Sequence, residues 1–279
     1  MEPIFAIDVH GHYGRYFGAV DDVGNELMSA TAEVVADRAA KANILLTIVS
    51  PAQALFPRGA NDSVSGNIDA ARAVDQVPGL LQYVVIDPRE PRTFEQADDM
   101  LRSPRCVGIK IHPEEHCYPI QDFGRSLFEF AAAREAVILT HSSEQNSLAA
   151  DFVPLANSYP EVKLILAHIG CGWDGDLTHQ VRAVQRSIHG NIWTDTSSVR
   201  SVTPGLIEWA VREIGAERVL FGTDTPLYHS GMQRARIDQS ELSEHEKKLV
   251  LRDNAIRLFN LGRFLARCDR TRQPLRGWG

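Results

Sequence analysis

The sequence predicts an α/β protein folded as one closed (β/α)8 barrel, on three observations. Eight short apolar runs, rich in β-branched residues, alternate with segments of helix length. Continuous apolar runs of this kind suit strands covered on both faces. The chain has 279 residues, close to the usual length of about 250 for such barrels. No G-x-G-x-x-G follows the first run, which disfavours a doubly wound open sheet. The barrel is expected as a single domain over 1–262, followed by a basic tail over 263–279 that carries Arg263, Arg267, Arg270, Arg272 and Arg276.

Ile4-Phe5-Ala6-Ile7 opens the first strand, which ends on Asp8-Val9-His10-Gly11-His12. Residues 13–31 have loop composition, with Tyr13, Tyr16 and Phe17 available to line a mouth. Helical spacing from Ala32 to Ala42 leads to the strand Ile44–Val49, and a helix over Asn67–Val77 leads to the strand Leu80–Ile86. Thr93 is the expected N-cap of a helix running to Leu101, with Glu95 and Gln96 in its first turn. The fourth strand is Cys106–His112 and the fifth Val137–His141, separated by a helix over Phe123–Arg134. A helix over Ser147–Ser158, with Pro154 as a local cost, precedes the sixth strand, Lys163–His168. A helix over Asp174–Ile188, the strand Asn191–Asp195, a helix starting at Pro204 and the strand Arg218–Asp224 complete the set, and Glu244–Phe259 is the closing helix.

Composition narrows the function. Hydrophobic residues make up 44% and charged residues 23%, the balance of an ordinary globular chain. A net charge of −7 disfavours nucleic acid and anionic membranes as partners, since phosphate contacts need clustered cations. No apolar run approaches the roughly 20 residues that cross a bilayer. Cys106, Cys117, Cys171 and Cys268 show no C-x-x-C spacing, and the first residues lack a signal-peptide pattern, so a reducing cytoplasm is the expected compartment. A small-molecule substrate is the expected partner, and a symmetric dimer the default assembly.

In a (β/α)8 barrel the active site lies at the carboxyl ends of the strands. His10 and His12 end the first strand, Lys110 and His112 the fourth, His141 the fifth, His168 the sixth and Asp224 the eighth. Alternate residues of a strand share a face, so His10 and His12 can grip one divalent ion, with Asp8 on the same side. Ten histidines scattered at random over this chain would seldom fall at so many strand ends. A metal site built across a barrel requires it.

The motifs D-V-H-G-H (8–12), G-I-K-I-H-P (108–113), L-T-H-S (139–142), L-A-H-I-G (166–170), F-G-T-D-T-P (221–226) and N-A-I-R-L-F (254–259) carry a resemblance to the amidohydrolase superfamily. The chain looks like a member of the branch that also contains metal-dependent decarboxylases. The resemblance implies a metal-dependent TIM-barrel enzyme in which His10, His12, His141 and Asp224 surround one divalent ion. It also implies that His168 either ligates a second ion or polarises the reacting carbonyl. Lys110 is either carboxylated and bridges two ions, or stays an amine and holds an anionic substrate group. The ion is expected to be zinc, with manganese the alternative, at one or two per chain.

Zinc held by imidazole and carboxylate brings the pKa of its water from about 15.7 to near 7. Asp224 would take the proton from that water and return it to the leaving group, while His168 would stabilise oxyanion charge. The expected reaction is therefore hydrolysis of an amide, lactone or ester of a small polar substrate. The alternative is a non-oxidative decarboxylase of a small aromatic or unsaturated acid, in which the adjacent carbon is protonated and carbon dioxide leaves.

Other residues are weighed against simpler roles. His112 shares a face with Lys110 and is a candidate for substrate contact, as is Arg200, whose guanidinium can pair with a carboxylate. His116 reads as a solvated loop residue; His179, His189 and His245 are assigned no role. His229 lies in the eighth loop, where a substrate contact is conceivable. Trp173 is a further candidate for the pocket wall. Ser142-Ser143-Glu144 lies on the correct rim but lacks the G-x-S-x-G of a nucleophile elbow.

Overall fold

The structure is a computed structural model that describes residues 4–262 and 265. The basic tail read at 263–279 falls outside the described residues, Leu265 excepted, and so does Cys268.

Eight parallel strands run in chain order: β1 (Ala6–Tyr13), β2 (Ile44–Pro51), β3 (Leu80–Val85), β4 (Cys106–Ile111), β5 (Val137–Thr140), β6 (Lys163–Leu166), β7 (Ile192–Asp195) and β8 (Val219–Leu220). β8 has only two ladder residues, fewer than its apolar run suggests, because the chain past Leu220 turns to close the sheet on β1. Val9 N–H donates to Phe221 O at 2.9 Å, Asp224 N–H to His10 O at 2.7 Å and His12 N–H to Thr225 O at 2.6 Å. The barrel closes through these bonds, and they bring the first and last strand ends together at one rim.

Ten α-helical segments surround or cap the sheet among the described residues in addition to a short one in the first loop. Those that matter here are α1 (Asp22–Leu27), α2 (Ala32–Lys41), α3 (Ser63–Gln76), α4 (Arg92–Met100), α5 (Ile120–Ala132), α6 (Phe152–Ser158), α7 (His179–Gln185), α8 (Leu206–Ile214) and α9 (Ser230–Asp238). The closing helix is α10 (Glu244–Lys248), a π turn over Leu249–Asp253 and α11 (Asn254–Leu258). Its start is a capping box in which Ser243 and Glu246 satisfy each other's backbone N–H.

Local chemistry revises several boundaries. Thr93 is not an N-cap: α4 starts at Arg92, and the Thr93 hydroxyl donates to the carbonyls of Asp87 and Glu90. α8 starts at Leu206 rather than Pro204, behind Gly205 at φ +76°. Segments α1 and α9 arise where loop was expected, α1 capped by the Asp21 carboxylate and α9 by the His229 imidazole.

Three apolar clusters hold the layers. Ile7, Leu46, Leu81, Tyr83, Leu139, Ile165 and Leu220, drawn from six strands, fill the barrel with Leu258 and Phe259 of the closing helix beneath them. A second cluster packs β3–β6 against α4–α7, and a third packs β1 and β8 against α2, α8 and α9. Among the described residues no helix is long and apolar enough to cross a membrane.

Candidate metal centre and cavity

At the carboxyl rim His10, His12 and Asp224 converge, their ligand atoms within 4.8 Å of one another and all three side chains buried. His12 Nε2 lies 3.1 Å and His10 Nε2 3.5 Å from Asp224 Oδ1. Burial would raise the Asp224 carboxyl, but the His12 hydrogen bond and the charges of the surrounding groups outweigh it and hold the carboxyl below the usual range. The backbone of Asp224 takes φ +56° and that of His168 φ +71°. Side chains rarely tolerate this region, and it is concentrated where function fixes the geometry.

Each ring is held from behind. His12 Nδ1 lies 3.0 Å from Ser50 O. His10 Nδ1 lies 3.0 Å from Asp195 Oδ2 and 2.9 Å from Ser197 Oγ. His168 Nδ1 lies 3.0 Å from the same hydroxyl. Second-sphere bonds of this type select the tautomer that leaves the other nitrogen free to ligate. Burial lowers the His168 imidazole to about 4 and pushes His10 well below its ordinary value, so both are neutral at pH 7, the state a ligand or proton acceptor needs.

His141 sits one ring further along. It is 4.9 Å from His168 and stacks on His112 at 4.4 Å, centroid to centroid. Its Nε2 lies 2.9 Å from Ser143 Oγ, while its Nδ1 is buried with no partner. An orphaned, buried imidazole nitrogen beside a three-donor group fits the divalent ion that the donor set suits, although that nitrogen is outside the convergent trio. Lys110 is buried with Nζ 3.0 Å from His10 Nε2, and burial pulls its ammonium down to about 8, against opposition from Asp224 and Asp195.

These groups floor a cavity of about 490 Å³, whose walls include Tyr16, Phe17, Phe56, His112, Cys171 and Tyr228. Arg58 reaches in from the loop after β2, its guanidinium 2.9 Å from Glu115 Oε1 and 3.4 Å from Glu144 Oε2.

Several expectations are corrected. Arg200 is exposed and does not line the cavity, because the turn after Ser198 directs it outward. Trp173 is 59% exposed and is not part of the wall. His229 caps α9 through its Nδ1. His116 is fully buried, with Nε2 2.9 Å from Ala54 O, rather than solvated. Arg58, Asp195 and Ser197 carry no distinctive motif in the sequence; Asp195 ends β7 and Ser197 follows two residues later, and the seventh strand is one of three, with the second and third, to which no chemistry was assigned.

Fold and donor group together define a barrel enzyme with a divalent-metal site. The chain belongs to the amidohydrolase family, whose match runs over residues 7–261. A gamma-resorcylate decarboxylase of Polaromonas sp. is 26% identical over 129 residues, 39% of this chain and 37% of that protein. The matched stretch is thus well under half of the curated relative. A Polaromonas dihydroxybenzoic acid decarboxylase, solved with manganese and 2-nitroresorcinol, superposes with a TM-score of 0.71 at 17% identity, covering 94% of this chain and 98% of that one. The 5-carboxyvanillate decarboxylase of Sphingomonas paucimobilis gives 0.70 at 15% identity, covering 92% and 99%.

These comparisons correct the expectation of hydrolysis. The gamma-resorcylate relative and these two solved structures are decarboxylases, which speaks against the water-activating reading and for its alternative. A second group of potential donors, His10, His168 and Asp195, surrounds the Ser197 hydroxyl, which hydrogen-bonds all three.

Proposed function

We propose that this protein is a metal-dependent, non-oxidative decarboxylase of a small hydroxylated aromatic carboxylic acid. The observation that carries the reading is the convergent donor group His10, His12 and Asp224 at the floor of a cavity that combines aromatic walls with Lys110, and with Arg58 paired to Glu115 and Glu144. A planar anion of benzoate size fits such a space. The sequence relative and the two solved relatives supply the substrate class by their names.

In this reading His10, His12, His141 and Asp224 hold the ion. When bound, it would act as a Lewis acid that withdraws electron density from the oxygens of the acid. Imidazole–carboxylate sets accept zinc and manganese alike, and the Polaromonas structure contains manganese. Lys110 pairs with an anionic oxygen of the substrate, while Arg58 is held by Glu115 and Glu144. The aromatic residues exclude water and fix the plane of the ring. The Asp224 carboxylate receives the proton of the substrate hydroxyl and delivers it to the ring carbon that bears the carboxyl group. The bond to that group then breaks, its electron pair restores the ring, and carbon dioxide leaves. His168, neutral at pH 7, is a second acceptor beside Asp224 for the proton of that hydroxyl.

The test is carbon dioxide release from a panel of mono- and dihydroxybenzoates and methoxylated analogues, by metal-free protein and by protein reloaded with manganese or zinc. Release that needs the ion and disappears in Asp224→Asn is expected. Full activity of the metal-free protein, or no release from any acid on the panel by protein that carries its ion, would sink the reading.

A further inference from the structure

The Ser197 hydroxyl has one proton to give and touches three groups. Asp195 Oδ1, His10 Nδ1 and His168 Nδ1 all lie within hydrogen-bonding distance of its Oγ. A carboxylate oxygen only accepts, so the hydroxyl proton goes to Asp195. Only lone pairs then remain on Oγ, so each imidazole must bring its own proton: His168 Nδ1–H donates to it, and the one His10 Nδ1–H is shared between it and Asp195 Oδ2. The remaining bonds agree. Asp195 Oδ2 accepts from His10 Nδ1, and Asp195 Oδ1 also accepts from the backbone N–H groups of His168 and Ser197 at 3.0 Å each. From the other side Lys110 Nζ approaches His10 Nε2 at 3.0 Å, as it does when that nitrogen carries a lone pair.

We propose that Asp195 and Ser197 are positioning residues that act as one unit, locking His10 and His168 together in the Nδ1–H tautomer and filling the space between them that would otherwise seat a second cation. The unit ties the ring that ligates the ion to the ring that handles the proton, through one hydroxyl. The fold makes room for it: a Cβ on Gly222 would lie 3.1 Å from Asp195 Cγ, His10 Cβ and Ser197 Cβ alike. A zinc or similar ion binds imidazole nitrogen at about 2.0–2.1 Å, so an ion among these donors would have to displace Oγ. Ser197 Oγ and an ion therefore exclude each other at these three donors. The inference rests on His10 as ligand and His168 as the proton-handling ring, but its decisive readouts need no turnover.

The two members of the unit are separable. Ser197→Ala removes the only acceptor that His168 Nδ1 has at 3.0 Å, leaving the backbone Ser197 O at 3.4 Å, while His10 keeps Asp195. Asp195→Asn replaces an obligate acceptor with an amide whose NH2 can donate to His10 Nδ1 and reverse the tautomer. The experiment is long-range 1H–15N spectroscopy of histidine-labelled, metal-free protein, with signals assigned through His10→Gln and His168→Gln, together with manganese and zinc titration and metal counting.

Wild type should show both rings as Nδ1–H. Ser197→Ala should shift His168 toward a mixture of tautomers, leave His10 unchanged and keep affinity for the first ion within about threefold. Asp195→Asn should change His10 and weaken the ion by about 10–100-fold, the usual effect of losing a ligand's outer partner. An Nε2–H signal for His168 in wild type or an unaltered His168 in Ser197→Ala would each overturn the proposal. Should Asp195→Asn fail to fold, the Ser197→Ala spectrum decides. Carbon dioxide release, measured on the same proteins, tests the decarboxylase reading separately.

Discussion

Asp8 and Thr223 meet across the seam where the last strand returns to the first. Asp8 Oδ2 lies 2.6 Å from the Thr223 hydroxyl, and Oδ1 accepts from the backbone N–H groups of Thr223 and His10 at 3.0 Å each. One buried carboxyl group thereby fixes the residue before Asp224 and the backbone of His10, two of the three convergent donors. Thr223→Val keeps the shape and removes the hydroxyl, so Asp8 Oδ2 is left buried without its partner. A stability loss of about 1–3 kcal/mol is expected, with weaker metal binding. Urea denaturation and metal titration measure both, and a variant as stable as wild type would show that the seam does not depend on this bond.

Gly222 is the neighbouring constraint. An added methyl would press on three side chains at once, and none of them is a flexible chain end that can swing aside. Gly222→Ala should cost about 1–3 kcal/mol through overpacking and weaken the ion by displacing His10. Parallel thermal melts with and without manganese separate the two effects. A variant whose melting temperature falls but whose shift on adding metal stays at the wild-type value would place the strain away from His10.

The fold was legible because its signal is redundant: eight apolar runs repeat one period, so a two-residue β8 or a late start to α8 leaves the architecture unchanged. His10, His12 and Asp224 stood out for a related reason, as metal-ligand residue types at strand ends, where a barrel places its site. Asp195 and Ser197 occupy such an end too, but serine and aspartate after a strand also make ordinary turns and caps, and only coordinates show a shared hydroxyl. Arg58 was invisible because it reaches the cavity from a loop whose path no periodicity encodes. Arg200 misled for the converse reason: sequence places it near the rim but does not say which way the turn sends it.

Away from the site, Glu208 and Arg236 fasten α8 to α9. Arg236 Nη2 lies 2.7 Å from Glu208 Oε2 and Nη1 3.2 Å from Oε1, with both side chains nearly buried. The arginine hydrogen bond holds the Glu208 carboxyl below its ordinary value, against the opposing effect of burial. A folded-state pKa below the unfolded one means stabilisation that is complete above the ordinary glutamate range and disappears as pH falls through the folded value. Glu208→Gln should therefore be about 1–3 kcal/mol less stable than wild type at pH 7, and the gap should shrink below pH 4. Denaturant titrations at both ends of that range decide it, and a gap that is constant or widens with acid would refute the pairing.

Lys110 and a metal ion want the same lone pair. The amine hydrogen-bonds His10 Nε2 at 3.0 Å, the nitrogen that faces His12 and Asp224, so an incoming ion must displace it. Removing the competitor should help the ion: a hydrogen bond worth about 0.5–1.5 kcal/mol corresponds to about 2–10-fold in affinity. Lys110→Met, similar in length and apolar, is expected to bind manganese or zinc more tightly by that factor and to raise KM for the acid, whose anionic oxygen loses a cation. A carboxylated lysine that ligates the ion predicts the reverse sign, with metal affinity falling in Lys110→Met and rising with added bicarbonate in wild type. Isothermal titration of metal-free protein, with and without bicarbonate, separates the two, because the competing amine and the ligating carbamate move the same number in opposite directions.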